Sequence, residues 1–144
     1  MNKSSQLPST YIAGIVQSKA YRALSGFMSQ QLEAHSLSLP QWKVLGFLYE
    51  HGSMTPSQIG LELGVRRPVV SRLINDMESN NLLIKSVGKS DKRQTNLKIS
   101  QKGQKLAAQL EISLRHEMRQ FLHDISHNEL VVYSRVLNKL AAKL

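Results

Sequence analysis

Between Thr55 and Asn80 the stretch TPSQIGLELGVRRPVVSRLINDMESN holds two short helix signatures with almost nothing between them. Thr55 can cap the first helix, Pro56 suits its opening turn, and Gly64 supplies a left-handed stop, which leaves a helix only about two turns long. The second runs from Pro68 to the neighbourhood of Asn80, separated from the first by little more than Gly64 and Val65. This is the spacing of a helix-turn-helix. In the second helix Val70, Leu73, Ile74 and Met77 fall at i, i+3, i+4 and i+7 and define one buried face. Pro68, Ser71, Arg72, Asn75 and Ser79 lie on the opposite side, with Val69 on the flank.

The flanking sequence fits the same plan. From Tyr11 to Ala34 apolar residues recur at three- and four-residue steps without a proline, which predicts a long amphipathic helix after a Thr10 cap. Another helix is expected from Pro40 through Trp42, Leu45, Leu48 and Tyr49 to the stop at His51 and Gly52. After Asn80 and Asn81 the period changes: LLIKSV and TNLKIS read as two strands of a β-hairpin around the polar tip GKSDKRQ. Ser100 caps a further long helix carrying Leu106, Leu110, Leu114, Met118, Phe121 and Leu122 on its apolar side. Ser126, with Glu129 three residues on, opens a last helix whose Leu130, Tyr133, Leu137 and Leu140 are expected to point inward.

Charge says where to look for a partner. The chain of 144 residues carries 19 Lys and Arg against 10 Asp and Glu, a net +9. Residues 66–105 alone hold ten basic side chains and three acids, a net +7 of the chain's +9, so the positive field belongs to the second helix of the pair and the hairpin with the residues just past it. Such a concentration favours a polyanion, and nucleic acid binding through it falls steeply with salt as counterions are released. Cysteine is absent, which excludes disulfides, thiolate metal sites and cysteine redox sensing. Residues 1–10 lack the apolar core of a signal peptide, and no apolar run approaches the ~20 residues of a membrane span, so the expectation is a soluble cytoplasmic protein with no membrane partner.

Within the basic region the residue types suggest different duties. Arg72 can donate two parallel bonds to a guanine edge, a contact that discriminates by about 1 to 3 kcal/mol. The competing arrangement is an i, i+4 ion pair with Asp76. Pro68, Val69 and Ser71 leave room for close approach, and Val69 can touch a thymine methyl. Arg66 and Arg67, where the helix begins, suit phosphates, although arginine is an unusual N-cap. In the hairpin tip Asp91 stands two residues before Arg93 and can orient it toward a narrow minor groove, with Lys89 and Lys92 beside it. The acids are too scattered for a catalytic metal cluster, so an enzyme acting on nucleic acid is the weaker rival. A non-specific architectural DNA-binding protein is the other. Five histidines raise a metal question, but His123 and His127 are separated by the Ser126 cap, and neither metal site nor cofactor is expected.

The cadence RPVVSRLINDME, LLIK and SDKRQTNLKISQKG resembles the central block of the MarR family of winged-helix transcriptional regulators, with residues 40–103 carrying the likeness. Its most specific element is the Asp-x-Arg wing, Asp91 and Arg93, followed by Leu97, Ile99, Ser100 and Gly103. Two positions depart from the pattern: Arg66 stands where the family often has Ser, Asp or Thr, and Asn81 where it often has Gly. The resemblance implies a mainly α fold with a small β-hairpin wing, divided into an N-terminal dimerisation helix (1–36), a winged helix-turn-helix lobe (37–100) and C-terminal dimerisation helices (101–144). It further implies a homodimer on a pseudo-palindromic operator in double-stranded DNA, acting as a repressor that a small aromatic or anionic effector releases. Trp42 looks like a pocket-lining residue of relatives, with Arg22 and His35 able to serve an anionic effector; a core role competes for Trp42.

Overall fold

Ser38, Thr55 and Ser126 each stand three residues before a Gln or Glu, and in the computed structural model all three pairs form reciprocal capping boxes. The model describes residues 10–88 and 94–144. Its elements are α1 (Thr10–Glu33), α2 (Leu39–His51), α3 (Pro56–Leu63), α4 (Arg67–Ser79), β1 (Leu83–Val87), β2 (Thr95–Ile99), α5 (Gln101–Phe121) and α6 (His127–Ala141). The chain divides into two units at residue 108, within α5.

In the first unit α2 is the hub, touching α1, α3, α4 and β2. Its Val44, Leu45 and Leu48 are fully buried, as are Leu32, Ile59, Met77, Leu83 and Leu97 from the other elements. Each such side chain removed from water contributes on the order of 2 kcal/mol. Gly60 lets α3 lie close to α4, since a Cβ there would sit 3.1 Å from Val70 Cγ2. Gly64 adopts the expected left-handed conformation (φ 66°) and ends α3.

The end of α4 explains one departure from the family pattern. Asn81 has φ 57°, its N–H reaches Glu78 O at 2.9 Å, and the Leu82 N–H reaches Met77 O at 2.9 Å. This is a Schellman closure, with the buried pair Met77 and Leu82 as its apolar contact. Asparagine tolerates the left-handed region where most residues do not, so it replaces glycine there at small cost. Asn81→Ala is expected to cost about 1 kcal/mol in urea denaturation while Asn81→Gly costs nothing. Equal midpoints for the Ala variant and the parent would refute this account.

The hairpin pairs Leu83 with Ile99 through to Val87 with Thr95, antiparallel. One pairing was not foreseen from sequence: Met54, just before α3, exchanges both backbone hydrogen bonds with Leu97 (3.1 and 2.8 Å). The middle of β2 is therefore held on both edges. Gly88 N–H donates to Gln94 O at 2.8 Å and closes the described part of the hairpin.

The second unit differs from expectation in one respect. The capping box at Ser126 forms as read, and the Glu129 carboxyl is held below the ordinary glutamate range, first by the Ser126 hydroxyl and then by its backbone N–H. A lowered carboxyl contributes above its ordinary range and loses that contribution only as pH falls through the lowered value, so the box persists into mild acid. Leu130, Tyr133, Leu137 and Leu140, however, do not point into a core: α6 has no buried residue. Val131, Val132 and Val136 are exposed as well.

Candidate nucleic-acid interface

The face of α4 turned to solvent is the one the helical wheel singled out. Val70, Ile74 and Met77 are buried, while Arg66, Arg67, Pro68, Ser71, Arg72 and Asn75 are exposed, and Val69 is 54% exposed on the flank. Arg66 is the N-cap, with extended backbone and no side-chain cap hydrogen bond. Its carbonyl accepts from the Val69 and Val70 N–H groups at 3.0 and 3.2 Å, so the helix starts without help from the Arg66 side chain. A hydroxyl at this position could reach the Val69 N–H. Arg66→Ser is expected to raise stability by about 1 kcal/mol and, where Arg66 meets phosphate, to weaken duplex binding. A thermal melt and a duplex titration on the same variant separate the two; a variant that binds as tightly as the parent would remove Arg66 from the interface.

The two described acids in this region, Asp76 and Glu78, are already engaged. Glu78 pairs with Lys85 at 2.6 Å, and the same ammonium donates to Asn75 Oδ1 at 2.8 Å, tying β1 to α4. Asp76 accepts a hydrogen bond from the Gln41 side-chain amide of α2. Among the described residues Arg72 forms no ion pair with Asp76, so the competing arrangement weighed from sequence is not adopted. Lys102 is also committed, its Nζ donating to Asn80 O at 2.9 Å at the C-terminal end of α4, where a cation complements the helix dipole. Among the described basic side chains of residues 66–105, Lys85 and Lys102 thus hold the scaffold, and the arginines of α4 face solvent.

Beside the start of α4 an open cleft of about 740 Å³ is bordered by Thr55 and Pro56 of the α3 start, Arg66, Arg67, and Gln94 and Thr95 at the tip-side end of β2. The two arginines at the start of α4 thus share one open cleft with the α3 start and the described end of the hairpin. The wing residues Lys89, Asp91, Lys92 and Arg93 lie outside the described residues. The three effector candidates are dispersed. Arg22 is exposed on α1, His35 is exposed in the turn after it, and Trp42 is half-buried on α2. Neither the cleft beside α4 nor the one of about 380 Å³ at the α1–α2 corner is lined by any of them. A cation–π contact joins α1 to α2 nearby, with Lys43 Nζ 5.9 Å from the centre of the Tyr21 ring. Among the described residues no group of three His, Asp or Glu could hold a metal ion, and no helix is long and apolar enough to cross a membrane.

Sequence reasoning missed the roles of Gln41, Lys85 and Lys102. Ser38-Leu-Pro-Gln41 carries the capping-box signature and was readable as such. The partners of Lys85 and Lys102 on α4 depend on tertiary geometry, and no local pattern points to them.

Comparison with known proteins gives a consistent result. The model of the MarR family matches residues 35–94. The HTH-type transcriptional regulator MhqR of Bacillus subtilis is 25% identical over 126 residues, covering 88% of this chain and 87% of that protein. The transcriptional regulator BldR of Sulfolobus solfataricus superposes with a TM-score of 0.81 at 18% identity, covering 93% of this chain and 95% of the other. A MarR mutant of E. coli crystallised with operator DNA superposes with a TM-score of 0.77 at 15% identity, covering 91% and 94%.

Proposed function

We propose that this chain is a member of the MarR family of transcriptional regulators, as the match over residues 35–94 supports, and that it is a sequence-specific cytoplasmic repressor that reads double-stranded DNA with α4 and performs no covalent chemistry. The observation that carries the reading is the solvent-facing Arg72 on a helix whose other face is locked into the core, with Asp76 engaged elsewhere. An arginine so placed is available to a base edge, and Arg66 and Arg67 beside it suit phosphates. Pro68, Val69 and Ser71 allow the close approach that base contact requires. The wing residues Lys89, Asp91, Lys92 and Arg93 are assigned to the neighbouring groove, with Asp91 orienting Arg93.

Two copies are proposed to act together. The exposed apolar face of α6, which includes Val131, Val132 and Val136, supports pairing through the terminal helices. A two-fold pair sets its recognition helices about 34 to 36 Å apart, in successive major grooves of a pseudo-palindromic operator. Release by a small aromatic or anionic effector is assigned to the region of Trp42, with Arg22 and His35 as candidate anion partners.

The test is selection of bound fragments from the source genome, followed by titration of the selected duplex and a scrambled one at two salt concentrations. The expected ratio of affinities is about a thousandfold or more, with both affinities falling as salt rises. A ratio near one would instead indicate a non-specific architectural protein.

A further inference from the structure

We propose that Gln41 is a positioning residue for DNA reading: its side-chain amide holds Asp76 on α4 and thereby keeps Arg72, one helical turn earlier, available to a base. The inference rests on the function proposed above and adds to it a residue that is only 8% exposed and lies on α2 rather than on the DNA-facing surface.

The orientation of the Gln41 amide is fixed by its surroundings. Its Oε1 accepts from the Ser38 backbone N–H at 2.8 Å as half of the α2 capping box, while its backbone N–H donates to Ser38 Oγ at 3.3 Å. The remaining NH₂ therefore faces Asp76 Oδ2, and an ionised carboxylate can only accept. A buried amide needs both of its ends satisfied, so the bond to Asp76 completes Gln41 as well as restraining Asp76.

The consequence falls on Arg72. Arg72 and Asp76 are four residues apart on one helix, the spacing at which arginine and aspartate ordinarily pair. An Arg72 engaged with Asp76 would have part of its donor fork occupied and its direction set along the helix. Gln41 engages Asp76 Oδ2, and Arg72 forms no ion pair with Asp76 among the described residues; the bond also links the start of α2 to the last turns of α4.

A charge-swapped pair tests this. Gln41→Glu keeps the acceptor for the Ser38 N–H, hence the capping box, but sets a carboxylate against Asp76. Gln41→Glu with Asp76→Asn restores a donor and an acceptor in reversed order and has the net charge of the parent. The readout is the ratio of affinities for the selected and scrambled duplexes, in which a uniform charge effect cancels. Gln41→Glu is expected to lower the ratio about tenfold, and the double variant to bring it back to within about threefold of the parent. An unchanged ratio in Gln41→Glu, or a double variant that folds and does not recover, overturns the proposal while leaving the DNA-reading function intact. A parent ratio near one overturns both. Should Gln41→Glu fail to fold, Gln41→Met removes the donor while keeping the volume; it is expected to lower the ratio, and an unchanged ratio there overturns the proposal equally.

Discussion

Gly103→Ala is expected to lower the stability of the first unit by about 2 to 3 kcal/mol, read as an earlier midpoint in urea. A Cβ at Gly103 would collide with the backbone oxygen of Leu82 and lie 2.9 Å from Ile99 Cγ1. Backbone cannot swing aside as a flexible side chain can, and here it is held. The Leu82 carbonyl accepts from the Ser100 N–H at 3.1 Å, Ser100 Oγ donates to Asn81 O, and the Gly103 N–H donates to Ser100 Oγ at 2.9 Å. Relief of the clash would break this knot, which joins the end of α4 to the start of α5. Alanine gains about 1 kcal/mol over glycine from helix propensity, and the clash is expected to exceed that gain. A midpoint equal to that of the parent would mean that α5 can shift without cost.

The second large effect concerns recognition. Arg72→Ala is expected to relax discrimination at a single base position in each half-site, at a cost of about 1 to 3 kcal/mol for the preferred duplex and much less for the scrambled one. Measured over a set of single-base operator variants, the loss should fall on one position. Were Arg72 a phosphate contact, all duplexes would weaken alike and the salt slope would fall by about one. That uniform pattern would reassign base reading to another residue of the exposed face, with Ser71 and Asn75 next in line.

Most of the fold was legible because its boundaries are written locally. Thr55, Gly64, Ser126 with Glu129, and the change of period after Asn81 each act within a few residues, and each element begins and ends close to where they place it. The apolar set of α4 was legible for the same reason, since helical spacing alone decides which side faces the core. What escaped involves partners far apart in sequence. Gln41 and Asp76 are separated by 35 residues, Lys102 and Asn80 by 22, and no spacing rule connects them. The candidate interface was thus readable as a list of basic residues, but not as a division between the α4 arginines, which face solvent, and Lys85 and Lys102, which hold the scaffold. Four of its members, Lys89, Asp91, Lys92 and Arg93, stand on sequence alone. For α6 the apolar stripe was readable, but its location in a core was not, because periodicity says which residues share a face and nothing about what covers it.

The Met54–Leu97 pairing bears on how such a protein can change over time. A hairpin joined only at its turn takes its register from that turn, so altering the tip by one residue would send every side chain of a strand to the wrong face. Here the register of β2 is also fixed from the opposite edge, by a residue that precedes α3. The segment between Gly88 and Gln94 is thereby released from the duty of alignment. Substituted tips of other lengths are expected to leave the register of β2, and the lobe that carries α4, as they are.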